Sequence, residues 1–149
     1  FDRSVFAKSG VFNEQLKVLE DIDLWIRIGL QFKIVFIWKV LSRYVYDSGS
    51  LSRNQMNYTY TDAFSAYSTA EKKNPALKKF LDLNRFSLAI KSKLVGDPLA
   101  FKKYLDEIQL KNLDYKKRLL LHLPAFALRI LIQIRFFLAN AGLISTVFR

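Results

Sequence analysis

Apolar residues recur three and four apart at Ile22, Trp25, Ile26, Ile28 and Leu30, which predicts an amphipathic helix over Asp21–Gln31 with a wide buried face. Ahead of it, Asp2 can cap a short helix running through Lys8, and Gly10 suits the left-handed residue that ends one. Phe12-Asn13-Glu14 then reads as a turn in which Asn13 bonds its own backbone. Beyond the long helix the pattern changes. Ile34-Val35-Phe36-Ile37-Trp38 is apolar without a break, as expected of a strand covered on both faces. Arg43-Tyr44-Val45-Tyr46 predicts a second strand, ended by a turn at Asp47–Ser50.

A boundary is expected near residues 53–57. From Asn54 to Lys73, small and aromatic residues, among them Tyr60, Phe64 and Tyr67, take helical spacing. Pro75 opens a further helix that Gly96 closes, and Asp97-Pro98 supplies an N-cap and an N1 proline for one reaching about Ile108. This pair reads as a helical hairpin with no repeating period. Asn112-Leu113-Asp114 caps another helix. In the tail, Arg118, His122, Arg129, Gln133 and Asn140 fall on one narrow face if the helix is continuous, and Pro124 makes two helices meeting at a kink equally compatible. The expected organisation is 1–55, 56–117 (helical) and 118–149 (amphipathic helices).

Charge sharpens this picture. The net charge is +11, and residues 1–70 hold 8 basic and 7 acidic side chains, residues 71–118 hold 13 and 6, and residues 119–149 hold 3 and none. The excess lies in the C-terminal half and points to a polyanionic partner. Arg129 and Arg135 near its middle disfavour a membrane-spanning tail. A narrow polar stripe beside a broad apolar face suits a helix lying in the membrane interface, with burial against the protein as the alternative. With no cysteine there is neither a disulfide framework nor a thiolate metal site. A single histidine, His122, leaves no His cluster and no Ser–His pair.

Candidate chemistry gathers in Leu19-Glu20-Asp21-Ile22-Asp23-Leu24-Trp25-Ile26-Arg27. Three carboxylates in four positions at a helix start are explained by capping and by the helix dipole alone. The flanks add to that. The short helix, the Gly10–Leu16 turn, the Glu-Asp-x-Asp-Leu-Trp-x-Arg helix, the apolar strand, and a Tyr strand running into Ser50-Leu51-Ser52 follow one another in order. Residues 1–55 so resemble the C-terminal half of the catalytic domain of family 2 glycosyltransferases, the inverting GT-A enzymes. The resemblance implies an α/β fold for this part, followed by an all-α basic region, and a chain that is the tail of a longer protein.

It further implies transfer of a sugar from a nucleotide-sugar donor to a hydroxyl of a glycan or lipid-linked acceptor, in surface-polysaccharide or glycolipid synthesis. Asp21 would be the base and Glu20 its neighbour in the acceptor site. Asn13, Glu14, Trp25, Ser52 and Arg53 would contact substrate, and Asp23 with Arg27, i,i+4 in the favourable acid-first order, would support the site. Trp25 as a core aromatic, Asn13 as a plain turn and Arg53 as a solvated side chain are the structural alternatives. A divalent metal, Mg or Mn, would be held mostly by ligands outside this chain, with none here, and the chain alone is expected to be inactive. Two departures stand out: Asn13 where the family has Asp, and Asp47 where many relatives have His. The expected location is peripheral, on the cytoplasmic membrane face, against anionic lipid. Lacking a recognised nucleic-acid motif, the chain is not expected to bind nucleic acid. The alternative function is a basic helical module, nucleic-acid-binding or a membrane adaptor, without enzymatic activity.

Overall fold

Local capping chemistry sets most of the helices. A computed structural model of the chain describes residues 2–16, 19–42 and 64–141, in two compact units, Phe1–Leu77 and Lys78–Arg149.

In the first unit, the Asp2 carboxylate accepts from the Ser4 amide at 2.8 Å and starts α1 (Arg3–Ser9). Gly10 ends it at φ 74, in the left-handed region where a side chain is costly, and its amide donates to the Phe6 carbonyl at 2.9 Å. The Asn13 side chain accepts from the Gln15 amide at 3.0 Å, the turn its chemistry favours. α2 (Glu20–Gln31) buries Asp23, Leu24, Ile26 and Ile28. Farther along come a 3-10 turn (Ser65–Tyr67) and α3 (Ser68–Lys73), with Phe64 and Tyr67 buried.

The α/β expectation is overturned. Among the described residues every regular element is helical and there is no strand. Residues 33–42 are irregular. Ile34, Val35, Phe36 and Ile37 are exposed, and Trp38 is 92% exposed. The Phe36 and Trp38 rings meet edge-on at 5.7 Å, as i,i+2 neighbours on an extended chain can. The Lys39 amide folds back to the Ile37 carbonyl at 2.8 Å, a tight γ-type turn. Composition gave this run the look of a buried strand, but a strand exists only through a ladder with a neighbour, and none pairs with it among the described residues. The second expected strand, Arg43–Tyr46, and the boundary near 53–57 lie outside the described residues.

The second unit is built around α4 (Pro75–Val95), whose start belongs to the first. There the Asn74 side chain accepts from the amides of Ala76 and Leu77, both at 3.1 Å, while Pro75 sits where no amide hydrogen is needed. At its end the Asp97 amide reaches the Ser92 carbonyl at 2.9 Å and the Gly96 amide reaches Lys93 at 3.3 Å, a Schellman motif with Gly96 at φ 82. Asp97 then caps α5 (Pro98–Glu107), accepting from the Ala100 amide at 2.9 Å. A 3-10 turn (Leu110–Asn112) leads to α6 (Tyr115–His122), capped by Asp114, and to α7 (Ala125–Asn140). Leu81, Leu88, Ala89, Ala100, Tyr104, Leu113, Leu121 and Leu128 form its apolar interior.

Inside that interior lies a charged cluster. Asp82 is fully buried and accepts from Lys78 Nζ at 2.6 Å, Asn112 Nδ2 at 2.6 Å and the Gln109 amide at 3.2 Å. Arg85, also buried, lies 3.7 Å from Asp82 and donates through Nε to Glu107 at 2.7 Å.

The tail is two helices. Pro124 cannot donate an amide hydrogen, so the last carbonyls of α6 need other partners. Lys93 supplies them: its ammonium donates to the Leu121 carbonyl and, at 3.0 Å, to that of Leu123, and it lies 4.3 Å above the Phe101 ring. Burial holds the Lys93 pKa below the usual lysine range. Among the described residues no helix is long and apolar enough to cross a membrane.

Candidate functional site

The first turn of α2 separates its three carboxylates by environment. Asp23 faces inward. One of its oxygens accepts from Arg27 Nε at 3.0 Å and NH2 at 2.8 Å; the other accepts from the Tyr67 hydroxyl, which also lies 3.2 Å from the Asp23 carbonyl. The i,i+4 pair expected from the sequence forms, and Arg27 extends it. Its NH1 donates to the Ser9 carbonyl and its NH2 to the Val11 carbonyl at 2.7 Å, clamping the end of α1 onto α2. A Cβ on Gly10 would come 3.0 Å from Arg27 NH1, so a side chain there would crowd the guanidinium in addition to straining a positive φ.

Asp21 has a different setting. It is exposed, and its Oδ1 accepts from the Ile22 amide at 2.7 Å, one of the donors a helix start leaves unpaired. Its Oδ2 has no partner among the described residues. Glu20 is half-buried. Trp25 and Gly29 follow Asp21 at successive turns on the same face, and Trp25 leaves 46% of its surface exposed. A carboxylate and an aromatic ring one turn apart on an open face suit a polyhydroxylated substrate: the ring can stack on a sugar while the carboxylate takes a hydroxyl proton. Just before them Leu19 adopts φ 68, a left-handed conformation that costs a non-glycine residue roughly 1–2 kcal/mol. Strain of this kind gathers at sites where geometry is imposed for a purpose.

The other expected site residues are not assembled around Asp21. Asn13 is half-buried and Glu14 exposed in the turn after α1, and no hydrogen bond joins either to Glu20 or Asp21 among the described residues. Ser52 and Arg53 lie outside the described residues. The carboxylates do not make a metal set. Asp23 is committed to Arg27 and Tyr67, and among the described residues no three His, Asp or Glu side chains converge.

Sequence reasoning missed Tyr67, Ser9, Val11 and Leu19. Tyr67 is 44 residues from Asp23 and its aromatic spacing signalled only a helix face. Burial, and then the bond to and charge of Asp23, push the Tyr67 phenol well above its ordinary 10.0. A group whose pKa is raised on folding gives its full stabilisation below its unfolded pKa and loses it as pH climbs toward the folded one. Tyr67→Phe should thus cost the first unit about 1–3 kcal/mol below pH 10.0, and the gap between wild type and variant should narrow above it. Denaturant titrations on either side of that pH check this; a gap that widens at alkaline pH would contradict it.

Comparison with protein-family models, curated proteins and solved structures returned no match.

Proposed function

We propose that this chain supplies the acceptor side of an inverting sugar transfer, with Asp21 as the general base. The observation that carries the reading is the division of labour at one helix start: Asp23 is locked by Arg27 and Tyr67, while Asp21 is exposed with one oxygen unengaged among the described residues. A hydroxyl of the acceptor attacks the anomeric carbon of a nucleotide sugar. As the new C–O bond forms, the bond to the diphosphate breaks, its electron pair leaves with the nucleotide, and the hydroxyl proton passes to Asp21 Oδ2. Concerted bond formation and proton loss let an ordinary carboxylate do this, and attack opposite the leaving group inverts the centre. Trp25 orients the sugar ring, and Arg27 keeps the helix start in place.

The test is a transfer assay on the natural gene product in its native membranes, with a panel of nucleoside-diphosphate sugars and hydroxyl acceptors, the product anomer assigned by NMR. Transfer with inversion is expected. Retention, or no transfer from any donor, counts against the reading.

A further inference from the structure

α7 is amphipathic, and a hydrogen bond and packing fasten one side of it. Leu128 is buried, and Arg129 donates to the Leu94 carbonyl at 2.8 Å, so this side of the helix is fastened to the second unit. Arg118 in turn donates to the Leu113 carbonyl at 2.9 Å. Two of the five tail residues expected to form a polar stripe therefore anchor backbone. At roughly 100° per residue, the exposed Phe126, Phe137, Ile130, Ile134 and Leu131 fill one arc about 140° wide, with Arg129 and Arg135 on its two shoulders. Phe126 is 66% and Phe137 71% exposed, although both are large hydrophobics on a well-formed helix.

We propose that this outward arc of α7 docks on the surface of an anionic lipid bilayer. Charge selects the occupant. Residues 115–149 carry six Lys and Arg and no Asp or Glu, so the apolar arc is set in a wholly cationic segment. A protein partner's apolar patch would not require that; acidic headgroups would. Among the described residues no helix is long and apolar enough to cross the bilayer, and the 16 residues of α7 fall short of a spanning length, so α7 lies along the interface with its phenylalanines below the headgroups. Lys93, by satisfying the carbonyls at the α6–α7 break, fixes the helix so that one face is presented. This inference does not depend on the sugar-transfer reading, and its failure would leave that reading untouched.

The test uses the full chain, which has no native cysteine. Single variants Ile130→Cys, Ile134→Cys and Phe137→Cys, with Gln109→Cys as an outlying control, carry a polarity-sensitive fluorophore. Phosphatidylserine–phosphatidylcholine vesicles should brighten the three α7 labels and not the control, and salt should reverse the effect. Arg135→Gln should lower partitioning about fivefold, and Phe126→Ser with Phe137→Ser at least about tenfold, with helical circular dichroism unchanged. Three results would overturn the proposal: no vesicle binding, binding that leaves the α7 labels dark, or labels that respond to duplex DNA and not to vesicles, which would make the partner nucleic acid.

Discussion

With Asp21 as the general base, Asp21→Asn should leave the donor bound and cut sugar transfer by about two to four orders of magnitude, the usual contribution of a positioned base. The substitution is nearly isosteric. The amide oxygen of the substituted side chain can still accept from the Ile22 amide, so the helix start survives, but a neutral amide cannot take a hydroxyl proton. Donor binding measured by nucleotide titration should therefore hold while turnover collapses. Asp23→Asn is the informative contrast. It weakens a charge-assisted pairing with Arg27 and Tyr67 that holds α2 to α1 and to the 3-10 turn, so it should lower the melting temperature first and turnover only as a consequence. Glu20→Gln should fall between wild type and Asp21→Asn in turnover. An Asp21→Asn protein that keeps more than about a tenth of its activity would show that the carboxylate only caps the helix.

The features legible in the sequence are those whose causes are local. Asp2, Gly10, Gly96, Asp97-Pro98 and Asp114 each act on backbone groups within a few residues, and each stands in the structure where capping rules put it. The Asp23–Arg27 pair is legible for the same reason, being one helical turn long. What sequence could not give is anything that needs a distant partner. The run Ile34–Trp38 has a strand's composition and lacks a ladder among the described residues, so the α/β expectation failed where it depended on a neighbour. Tyr67 reaches Asp23 across 44 positions, and Arg27 reaches Ser9 across 18. The tail shows the same limit in a milder form: periodicity puts Arg118 and Arg129 on one polar face, and both are exposed, but no pattern announces that each also donates to a backbone carbonyl of its own unit.

Asp82→Ala should destabilise the second unit by about 3–5 kcal/mol, because it removes a fully buried carboxylate that pairs with Lys78 and Arg85. Asp82 takes three hydrogen bonds, from Lys78, Asn112 and the Gln109 amide, and sits beside Arg85 with no exposure to water. Without it the Asn112 amide group and the Gln109 N–H lose their acceptor in the interior, and Arg85 loses one carboxylate while keeping its bond to Glu107. For a unit of this size each kcal/mol moves the midpoint by about 4–8 °C, so a drop of upwards of about 12 °C is expected in a thermal melt, with amide exchange in α4 accelerating in parallel. Asp82→Asn should cost less, since its amide oxygen can serve Asn112 and Gln109 but not the cations. Replacing Asp82 and Arg85 together by Leu and Met should recover part of the loss, since a buried charge is dearest when its counterpart is gone. The Lys78 ammonium, which also donates to the Glu107 carbonyl at 2.7 Å, keeps an acceptor in that double variant. If Asp82→Ala melts within about 1 kcal/mol of wild type, the cluster is hydrated in solution and the turn after α5 is held by its apolar contacts alone.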